Sequence, residues 1–380
     1  MRVALYHPWV YLRSGVERWM VELVTRSRHD WTVYTHRYEP ESTYPEVGGL
    51  RVVELDPRVS VQRSLRPIAH AAWTMARARL PLDGEAALLV SSEGLGDLVA
   101  LRSRVPTVAY CHTPLKILHD PAASEVVRRQ SLGRRLALGT IGPAFEAVDR
   151  RAWRSYDAVL VNSTETLART AQARLRPSGP VEVLEPGVDA SWLQDDAPSR
   201  GEPLLLVAGR IMWQKNVELA IDAVRLLVEQ GRAVRLVVAG VVDEKSKPYL
   251  ALLRERAAEL PVEFEVAPPD ERLRELYASC AAFIFPPRNE DFGMVVLEAM
   301  AAGAPVIAVD AGGPRSTVEH GVTGWLLPPT PQAFSQQMAE VLDAGLRLAP
   351  MRAAARAAAA ARGWDAHVAR VDALLDDVVS

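Results

Sequence analysis

Two glutamates frame a turn in the last third of the sequence. Glu290 and Glu298 lie in the run EDFGMVVLE, which follows an apolar stretch over residues 281–285. At about 100° per residue, a separation of eight would place the two side chains about 80° apart on one helix, which is a poor shared face. The pattern therefore predicts a strand, then a loop that carries Glu290, and then a helix that begins near Gly293 and carries Glu298.

A second loop of this kind precedes it in the sequence. Arg210 and Lys215 stand between an apolar segment at residues 204–208 and a helical pattern at residues 217–229, for which Asn216 is the predicted N-cap. A helix N-terminus presents unpaired N–H groups and the positive end of the helix dipole, so two cations beside it suit a diphosphate. Each charge-assisted hydrogen bond would contribute about 1.5–3 kcal/mol. We predict that Arg210, Lys215 and the Glu290 loop share one sheet edge and bind one anionic ligand.

The first half of the sequence offers two further candidates. His112 follows the apolar segment at residues 107–111, and Gly15 lies in the loop after the first segment at residues 3–6. A glycine at such a place lets the backbone approach a phosphate or an acceptor. The loop lacks the GxGxxG pattern of dinucleotide-binding proteins. No DxD pair or His/Asp/Glu cluster has the spacing of metal ligands, so no bound metal is predicted.

Both halves alternate strand-like and helix-like segments, which indicates parallel sheets with crossover helices. A chain of 380 residues fits two domains. A stretch rich in proline, glycine, serine and acidic residues marks the boundary. We predict an N-terminal Rossmann-like domain at residues 1–187, a linker at 188–203, a second Rossmann-like domain at 204–362 and a C-terminal helix at 363–380.

The composition is that of an ordinary soluble protein, with 49% apolar and 24% charged residues. No apolar run approaches the roughly 20 residues that span a bilayer, and the N-terminus lacks the long apolar region of a signal peptide. We therefore expect a cytoplasmic protein, and peripheral association with the inner face of the membrane stays open. The two cysteines predict neither a disulfide framework nor a zinc site.

Charge is distributed unevenly along the chain. Residues 1–187 carry 25 Lys and Arg against 20 Asp and Glu, a net of +5, and the remainder carries 19 against 27, a net of −8. Arginines concentrate at residues 58–80 and 126–154, among apolar side chains. These segments are either ordinary solvated helix faces or surfaces that bind an anionic membrane, and the pattern leaves both interpretations open. Nucleic acid is not an expected partner.

The motifs together resemble the retaining glycosyltransferases of family 4 over nearly the whole chain. The second half contributes AGR at residues 208–210, KN at 215–216, EDFGMVVLEAMAAGAPVIA at 290–308, GG at 312–313 and GVTG at 321–324. The first half contributes HTP at 112–114, NS at 162–163 and PGVD at 186–189 in the family's order. The resemblance implies the α/β GT-B fold, in which two Rossmann-like domains face each other across the ligand cleft and a C-terminal helix returns to the first domain.

The same resemblance implies that the second domain holds a nucleotide-sugar donor. Arg210 and Lys215 would contact the diphosphate, Glu290 the sugar hydroxyls and Glu298 the ribose. His112 would approach the reacting sugar from the first domain, so His112 and Glu290 are the catalytic candidates. The donor-binding set is completed by Gly15 and by a segment whose amides from Phe292 onward reach phosphate and sugar: Asp291, Phe292, Gly293, Met294 and Val295.

The implied reaction moves a hexose, with mannose favoured, to a glycan, lipid-linked or small-molecule acceptor with retention at the anomeric carbon. Such a step would serve cell-surface polysaccharide or glycoconjugate biosynthesis. GDP-mannose is favoured over a UDP-sugar because CHTPLK at residues 111–116 resembles mannosyltransferase-type members. The nucleotide sugar is a substrate, and no cofactor is expected. The alternatives are a nucleotide-sugar epimerase or hydrolase of the same fold, and a non-catalytic nucleotide-sugar-binding subunit.

Overall fold

The computed structural model describes residues 1–61, 65–119, 132–193 and 203–380. The chain divides into two compact units, of which the first comprises Met1–Pro186 together with Trp364–Ser380 and the second comprises Gly187–Gly363. Along the described part of the chain, no helix is both long enough and apolar enough to cross a membrane.

The first unit is built on a parallel sheet. Its described strands run in the order β3-β2-β1-β4-β5-β6-β7, and every neighbouring pair is parallel. The strands are β1 (Arg2–Tyr6), β2 (Asp30–Thr35), β3 (Val52–Glu54), β4 (Ala87–Ser92), β5 (Thr107–Cys111), β6 (Ala158–Val161) and β7 (Val181–Val183). The helices of this first part of the chain are α1 (Gly15–Arg26), α2 (Leu65–Arg77), α3 (Lys116–His119), α4 (Leu132–Trp153) and α5 (Thr164–Gln172).

The second unit has the same plan. Its described strands run in the order β10-β9-β8-β11-β12-β13, again all parallel. They are β8 (Leu204–Ala208), β9 (Arg235–Gly240), β10 (Val262–Val266), β11 (Ala282–Phe285), β12 (Val306–Val309) and β13 (Gly324–Leu327). Its helices are α6 (Val217–Glu229), α7 (Lys247–Arg256), α8 (Asp270–Ser279), α9 (Met294–Ala301), α10 (Pro314–Thr317), α11 (Pro331–Ala344) and α12 (Ala349–Ala360). The prediction of two Rossmann-like α/β domains is confirmed.

The last helix, α13 (Trp364–Val379), belongs to the first unit. It packs on α1, where the Trp19 indole N–H donates to His367 Nε2 at 2.8 Å. Because Nε2 accepts this bond, the proton of the neutral ring is on Nδ1, which lies 2.8 Å from the carbonyl oxygen of Glu185 and donates to it. Burial lowers the pKa of His367 to about 4, so this buried imidazole stays neutral.

The central strands of each sheet are buried on both faces, because crossover helices cover them. In the second unit, one cluster of buried side chains contains Leu206, Phe283 and Met300, and a separate cluster contains Ile221, Val238 and Phe334. The central strands consequently have no exposed apolar side chain. Helix α10 begins at Pro314, because proline fits the first turn of a helix.

The arginine-rich segments are only partly described. Arg63, Arg128 and Arg129 lie outside the described residues, as do the side chains of Arg134 and Arg135. Arg58 is exposed and paired with Glu54. Arg66, Arg77 and Arg79 are exposed on or just beyond α2, and Arg151 and Arg154 are exposed around the end of α4.

Candidate functional site

The order of strands in the second sheet fixes where a ligand can approach. The chain leaves β8 toward β9 on one side and later returns to β11 on the other, so β8 and β11 are neighbours at the point where the strand order reverses. Loops that leave adjacent parallel strands at this point diverge and open a crevice at the carboxyl edge. The loop after β8 carries Arg210 and Lys215, and the loop after β11 carries Glu290. The topology therefore places the predicted residues at the reversal point of the sheet.

The loop after β8 packs closely against the end of the neighbouring strand β9. Gly209 has a φ of +124°, a backbone conformation that residues with a Cβ rarely adopt. A Cβ on Gly240, at the end of β9, would lie 1.8 Å from the carbonyl oxygen of Gly209. The Arg210 side chain that follows is half-buried, and among the described residues it makes no hydrogen bond or ion pair. A cation held at a sheet edge without a carboxylate partner is suited to an anionic ligand.

Lys215 and Glu290 meet, although 75 residues separate them in sequence. Lys215 ends a short 3-10 turn, Trp213–Lys215, and its Nζ lies 2.5 Å from Glu290 Oε2. The two side chains are 20% and 21% exposed. The ammonium also lies 5.8 Å from the ring centre of Phe285. The pair places a cation and a carboxylate side by side, where one could reach a phosphate and the other a sugar hydroxyl.

Asn216 occupies the N-cap position of α6, as predicted, but its side chain does not cap the helix. Its backbone is left-handed, with φ 50° and ψ 41°, and its side-chain amide donates to the Pro286 carbonyl at 2.9 Å. The first amide of α6, at Val217, donates instead to the Tyr249 hydroxyl at 2.9 Å. Asn216 thus joins the loop after β8 to the loop after β11, which fixes the two halves of the candidate site together.

The second loop ends at the N-terminus of α9. Gly293 has a φ of +89° and serves as the N-cap residue without a side chain. The first turn of α9 presents its amides because these have no partner within the helix. Phe292 is buried and anchors the loop, Asp291 is 9% exposed, and Met294 and Val295 are half-buried. A Cβ on Gly293 would lie 3.0 Å from the Phe285 ring, so the glycine lets the loop pack closely while the amides at this turn remain suited to an anion.

Gly312 and Gly313 support this loop from below. The Gly313 amide donates to the carbonyl oxygen of Glu290 at 2.9 Å. A Cβ on Gly313 would lie 2.3 Å from the Phe292 carbonyl oxygen, and one on Gly312 would lie 2.3 Å from that of Glu290. The two glycines are therefore required for close backbone packing, in addition to the turn that they make before α10.

Glu298 lies on α9 and is held by a buried tyrosine. The Tyr277 hydroxyl donates to Glu298 Oε2 at 3.3 Å, and burial raises the Tyr277 pKa well above its ordinary value. Helix α12 packs against α9 through its alanines, of which Ala355 and Ala359 are fully buried. Arg352 of α12 donates to the carbonyl oxygens of Gly303, Cys280 and Ala281. These contacts fix the helix whose N-terminus forms part of the site.

In the first unit, His112 lies at the end of β5, as predicted, and is only 7% exposed. Its Nε2 lies 3.0 Å from the Ser91 hydroxyl, and its ring meets the Trp19 ring edge to face at 5.0 Å. The Asn162 side chain donates to the His112 carbonyl at 2.8 Å. Burial is the main cause that lowers the His112 pKa well below its ordinary value, and electrostatic repulsion from His7 and His367 lowers it further. His112 is therefore a neutral imidazole that can exchange hydrogen bonds without carrying charge.

The loop after β1 contains a serine N-cap, supported by a glutamate, that the sequence interpretation missed. The Ser14 hydroxyl accepts from the Val16 amide at 3.2 Å and donates to Glu17, while Glu17 accepts from the Leu12 amide at 3.3 Å. The signal was present, because Ser followed three residues later by Glu marks a helix start. Burial raises the Glu17 pKa, and His7 opposes that shift. Gly15 is the exposed first residue of α1.

Two residues of the first unit also escaped the sequence interpretation. His7 directly follows β1, is 2% exposed, and its Nδ1 has no hydrogen-bond partner among the described residues. Ser91 contacts His112 from the neighbouring strand β4. Neither belongs to a local motif, because each depends on strands that the fold brings together. No group of three His, Cys, Asp or Glu side chains arranged to hold a metal ion occurs among the described residues.

Two family models match the chain in succession. The model described as Glycosyltransferase Family 4 matches residues 13–192, and the one described as Glycosyl transferases group 1 matches residues 190–362. Together they cover residues 13–362, and they meet at residues 190–192, a few residues after the main segment of the first unit ends at Pro186.

Curated proteins and solved structures show similarities of the same kind. The chain is 31% identical over 278 residues to the alpha-1,3/1,6-mannosyltransferase ALG2 of Homo sapiens, covering 67% of this chain and 64% of that protein. It is 32% identical over 233 residues to a D-inositol 3-phosphate glycosyltransferase of Thermobispora bispora, covering 57% of this chain and 54% of that protein. Both matches thus span less than two thirds of the relative. The structure of HepE from Anabaena in complex with UDP aligns with a TM-score of 0.74 at 19% identity, covering 99% of this chain and all of that one.

Proposed function

This chain belongs to the family 4 glycosyltransferases with the GT-B fold, and on that premise we propose that it transfers a hexose from a nucleotide-diphosphate sugar, with retention at the anomeric carbon. The acceptor that we propose is a glycan or a lipid-linked sugar, in the synthesis of a cell-surface polysaccharide or glycoconjugate. The proposed setting is the cytoplasm, with the acceptor presented at the inner face of a membrane.

The single observation that carries this proposal is the contact between Lys215 and Glu290 at the reversal point of the second sheet. It brings together two side chains that suit the two ends of a nucleotide-diphosphate sugar. The cation shares its loop with Arg210 and directly precedes the N-terminus of α6, which is the environment that a diphosphate needs. The carboxylate can accept hydrogen bonds from sugar hydroxyls.

The proposed chemistry follows from where charge develops. When the bond between the sugar and the phosphate breaks, negative charge grows on the leaving diphosphate. Arg210, Lys215 and the amides from Phe292 to Val295 are fixed donors that can stabilise that charge without reorganisation. Glu298, held by Tyr277, is proposed to bind the ribose hydroxyls. This arrangement supplies the electrostatic stabilisation from protein groups, so we propose a reaction that does not depend on a metal.

His112 is proposed to act at the reacting sugar. Its pKa is lowered, so it stays neutral near pH 7 and can hydrogen bond to a sugar hydroxyl without carrying charge. The Ser91 hydroxyl holds one ring nitrogen and so fixes the plane of the ring. A neutral, oriented imidazole suits a positioning contact better than a proton transfer at low pH.

We propose GDP-mannose as the donor. The human relative is a mannosyltransferase by name, which supports mannose. The HepE structures contain UDP and UDP-glucose, so UDP-glucose is the competing donor that an assay must include. Gly15, at the start of α1, is proposed to let the backbone approach the substrate from the first unit.

Thermal unfolding in the presence of each donor tests this proposal. A ligand present at about 100 times its Kd stabilises the folded state by about 2.7 kcal/mol. For a unit of this size that corresponds to an increase in Tm of about 5–10 °C. We expect the largest increase with GDP and GDP-mannose, and a smaller one with UDP, ADP and their sugars. Product analysis by NMR then reports the anomeric configuration. No increase with any of these nucleotides would contradict the assignment of the donor site.

A further inference from the structure

Helix α2 exposes one polar and aromatic face that the candidate site does not use. Arg66, His70, Trp73 and Arg77 are all exposed, and Trp73 is 64% exposed. At about 100° per residue, these four positions fall within an arc of about 60°. The opposite face of the helix, which includes Met75, is buried in the core of the first unit. One side of the helix is therefore packed against the core, and the other side presents a row of these four exposed side chains.

The exposed indole is held in place by a cation. The Arg77 guanidinium carbon lies 4.6 Å from the centre of the Trp73 ring. Neither Arg66 nor Arg77 pairs with a carboxylate among the described residues. Indole combines a large apolar ring with one N–H donor, which suits the boundary between water and the headgroups of a bilayer. Arginine beside it adds attraction for anionic headgroups.

The charge of the surrounding surface has the same sign. Between Asp56 and Asp83 the sequence contains no acidic residue, and it carries five arginines. The exposed Arg102 donates to the carbonyl oxygen of Ala76, near the end of α2, and so adds a cation at this end of the face. An anionic surface would consequently meet no carboxylate along α2. This charge complementarity identifies the kind of partner.

We propose that this face of α2, formed by Arg66, His70, Trp73 and Arg77, docks the first unit on an anionic lipid bilayer. A convex helix with one aromatic side chain between arginines matches a planar headgroup surface better than a nucleic acid, for which a charged groove and several stacking rings are usual. The surface lies in the first unit and the donor residues Arg210 and Lys215 lie in the second. The proposal therefore stands or falls independently of the donor assignment.

Flotation of the full chain with vesicles tests the proposal. We expect binding to phosphatidylcholine vesicles that contain phosphatidylglycerol, little binding to phosphatidylcholine alone, and loss of binding in about 0.5 M salt, where the screening length falls to a few ångströms. Arg66→Gln and Arg77→Gln should each weaken vesicle binding about fivefold. Trp73→Ala should weaken it about tenfold, because the ring no longer enters the headgroup layer.

Matched variants in the second unit serve as controls. Arg254 is exposed and stacks over Phe264 at 6.0 Å, and Trp213 is 55% exposed. Arg254→Gln and Trp213→Ala should leave vesicle binding unchanged. The proposal is overturned if the full chain does not bind anionic vesicles at low salt. It is also overturned if the α2 variants bind like the wild type, or if a duplex or single-stranded nucleic acid competes fully with the vesicles through the same residues. Donor-induced increases in Tm, measured separately without vesicles, report on donor binding, in which the proposed face of α2 takes no part.

Discussion

Replacing Glu290 by Gln should separate the two ends of the donor. Glu290 Oε2 lies 2.5 Å from Lys215 Nζ, so the carboxylate forms an ion pair with the cation that we assign to the diphosphate. Gln removes the charge but keeps the shape of the side chain. The nucleoside diphosphate no longer competes with an internal carboxylate for Lys215. We therefore expect Glu290→Gln to bind GDP as tightly as the wild type or more tightly, while transfer falls because a sugar contact is lost.

The magnitudes follow from the exposure of the pair. Side chains that are 20% and 21% exposed lie between surface pairs, which contribute about 0.2–1 kcal/mol, and buried pairs, whose disruption costs about 3–5 kcal/mol. We expect a coupling energy of about 1–2 kcal/mol in a double-mutant cycle of unfolding. For GDP binding, Lys215→Met should cost the charge-assisted bonds, about 1.5–3 kcal/mol, which is a weakening of about 10- to 150-fold.

Calorimetric titration with GDP and a transfer assay with GDP-mannose measure the two effects separately. The exposed pair of Lys247 and Glu244, 2.6 Å apart, is the matched control, and Lys247→Met should change neither quantity. The reasoning would be refuted if Glu290→Gln weakened GDP binding as much as Lys215→Met does. It would also be refuted if purified Glu290→Gln transferred sugar at the wild-type rate.

Two further outcomes are expected. Burial lowers the pKa of His367 to about 4 from its ordinary 6.5, so the unfolded chain binds a proton there before the folded chain does, and stability is lost as the pH falls below about 6.5. Urea unfolding should therefore show that wild type loses about 2 kcal/mol more than His367→Gln between pH 7.5 and 5, and an equal loss in both would contradict this. Gly313→Ala would place a Cβ 2.3 Å from the Phe292 carbonyl oxygen, so we expect a loss of about 1–3 kcal/mol in unfolding free energy together with weaker GDP binding. Gly363→Ala, whose Cβ would meet nothing within 4 Å, should change neither, and equal effects of the two substitutions would argue against the steric explanation.

The sequence predicted the framework of the site because parallel strands leave a local signal. Strands β5 and β8 have the bounds that the apolar runs predicted, since strands covered on both faces read as continuous apolar segments. The glutamate-framed turn was predicted in the same way, from a strand, two prolines and a glycine before a helical pattern. Motifs of this kind are written in consecutive residues.

The parts that were not predicted depend on contacts between distant segments. The local capping rule assigned Asn216 to the start of α6, but its amide is directed to the Pro286 carbonyl, 70 residues away. His7 and Ser91 lie near His112 only because β1, β4 and β5 are neighbours in the sheet. The close packing of Gly313 on the loop after β11 likewise has no signature beyond two adjacent glycines. Tertiary contacts decided these cases, and no window of sequence contains them.

The return of α13 to the first unit also constrains how the chain can fold during synthesis. The hydrogen bond between Trp19 and His367 joins residues that are 348 positions apart in sequence. The whole second unit is therefore translated after Trp19 and before His367. The main segment of the first unit therefore emerges from the ribosome without its last helix. The second unit is contiguous in sequence and can fold as soon as it emerges. We expect the nascent first unit to expose the face of α1 that α13 later covers. In a chain that stops before residue 364, this face would remain open to chaperones and proteases.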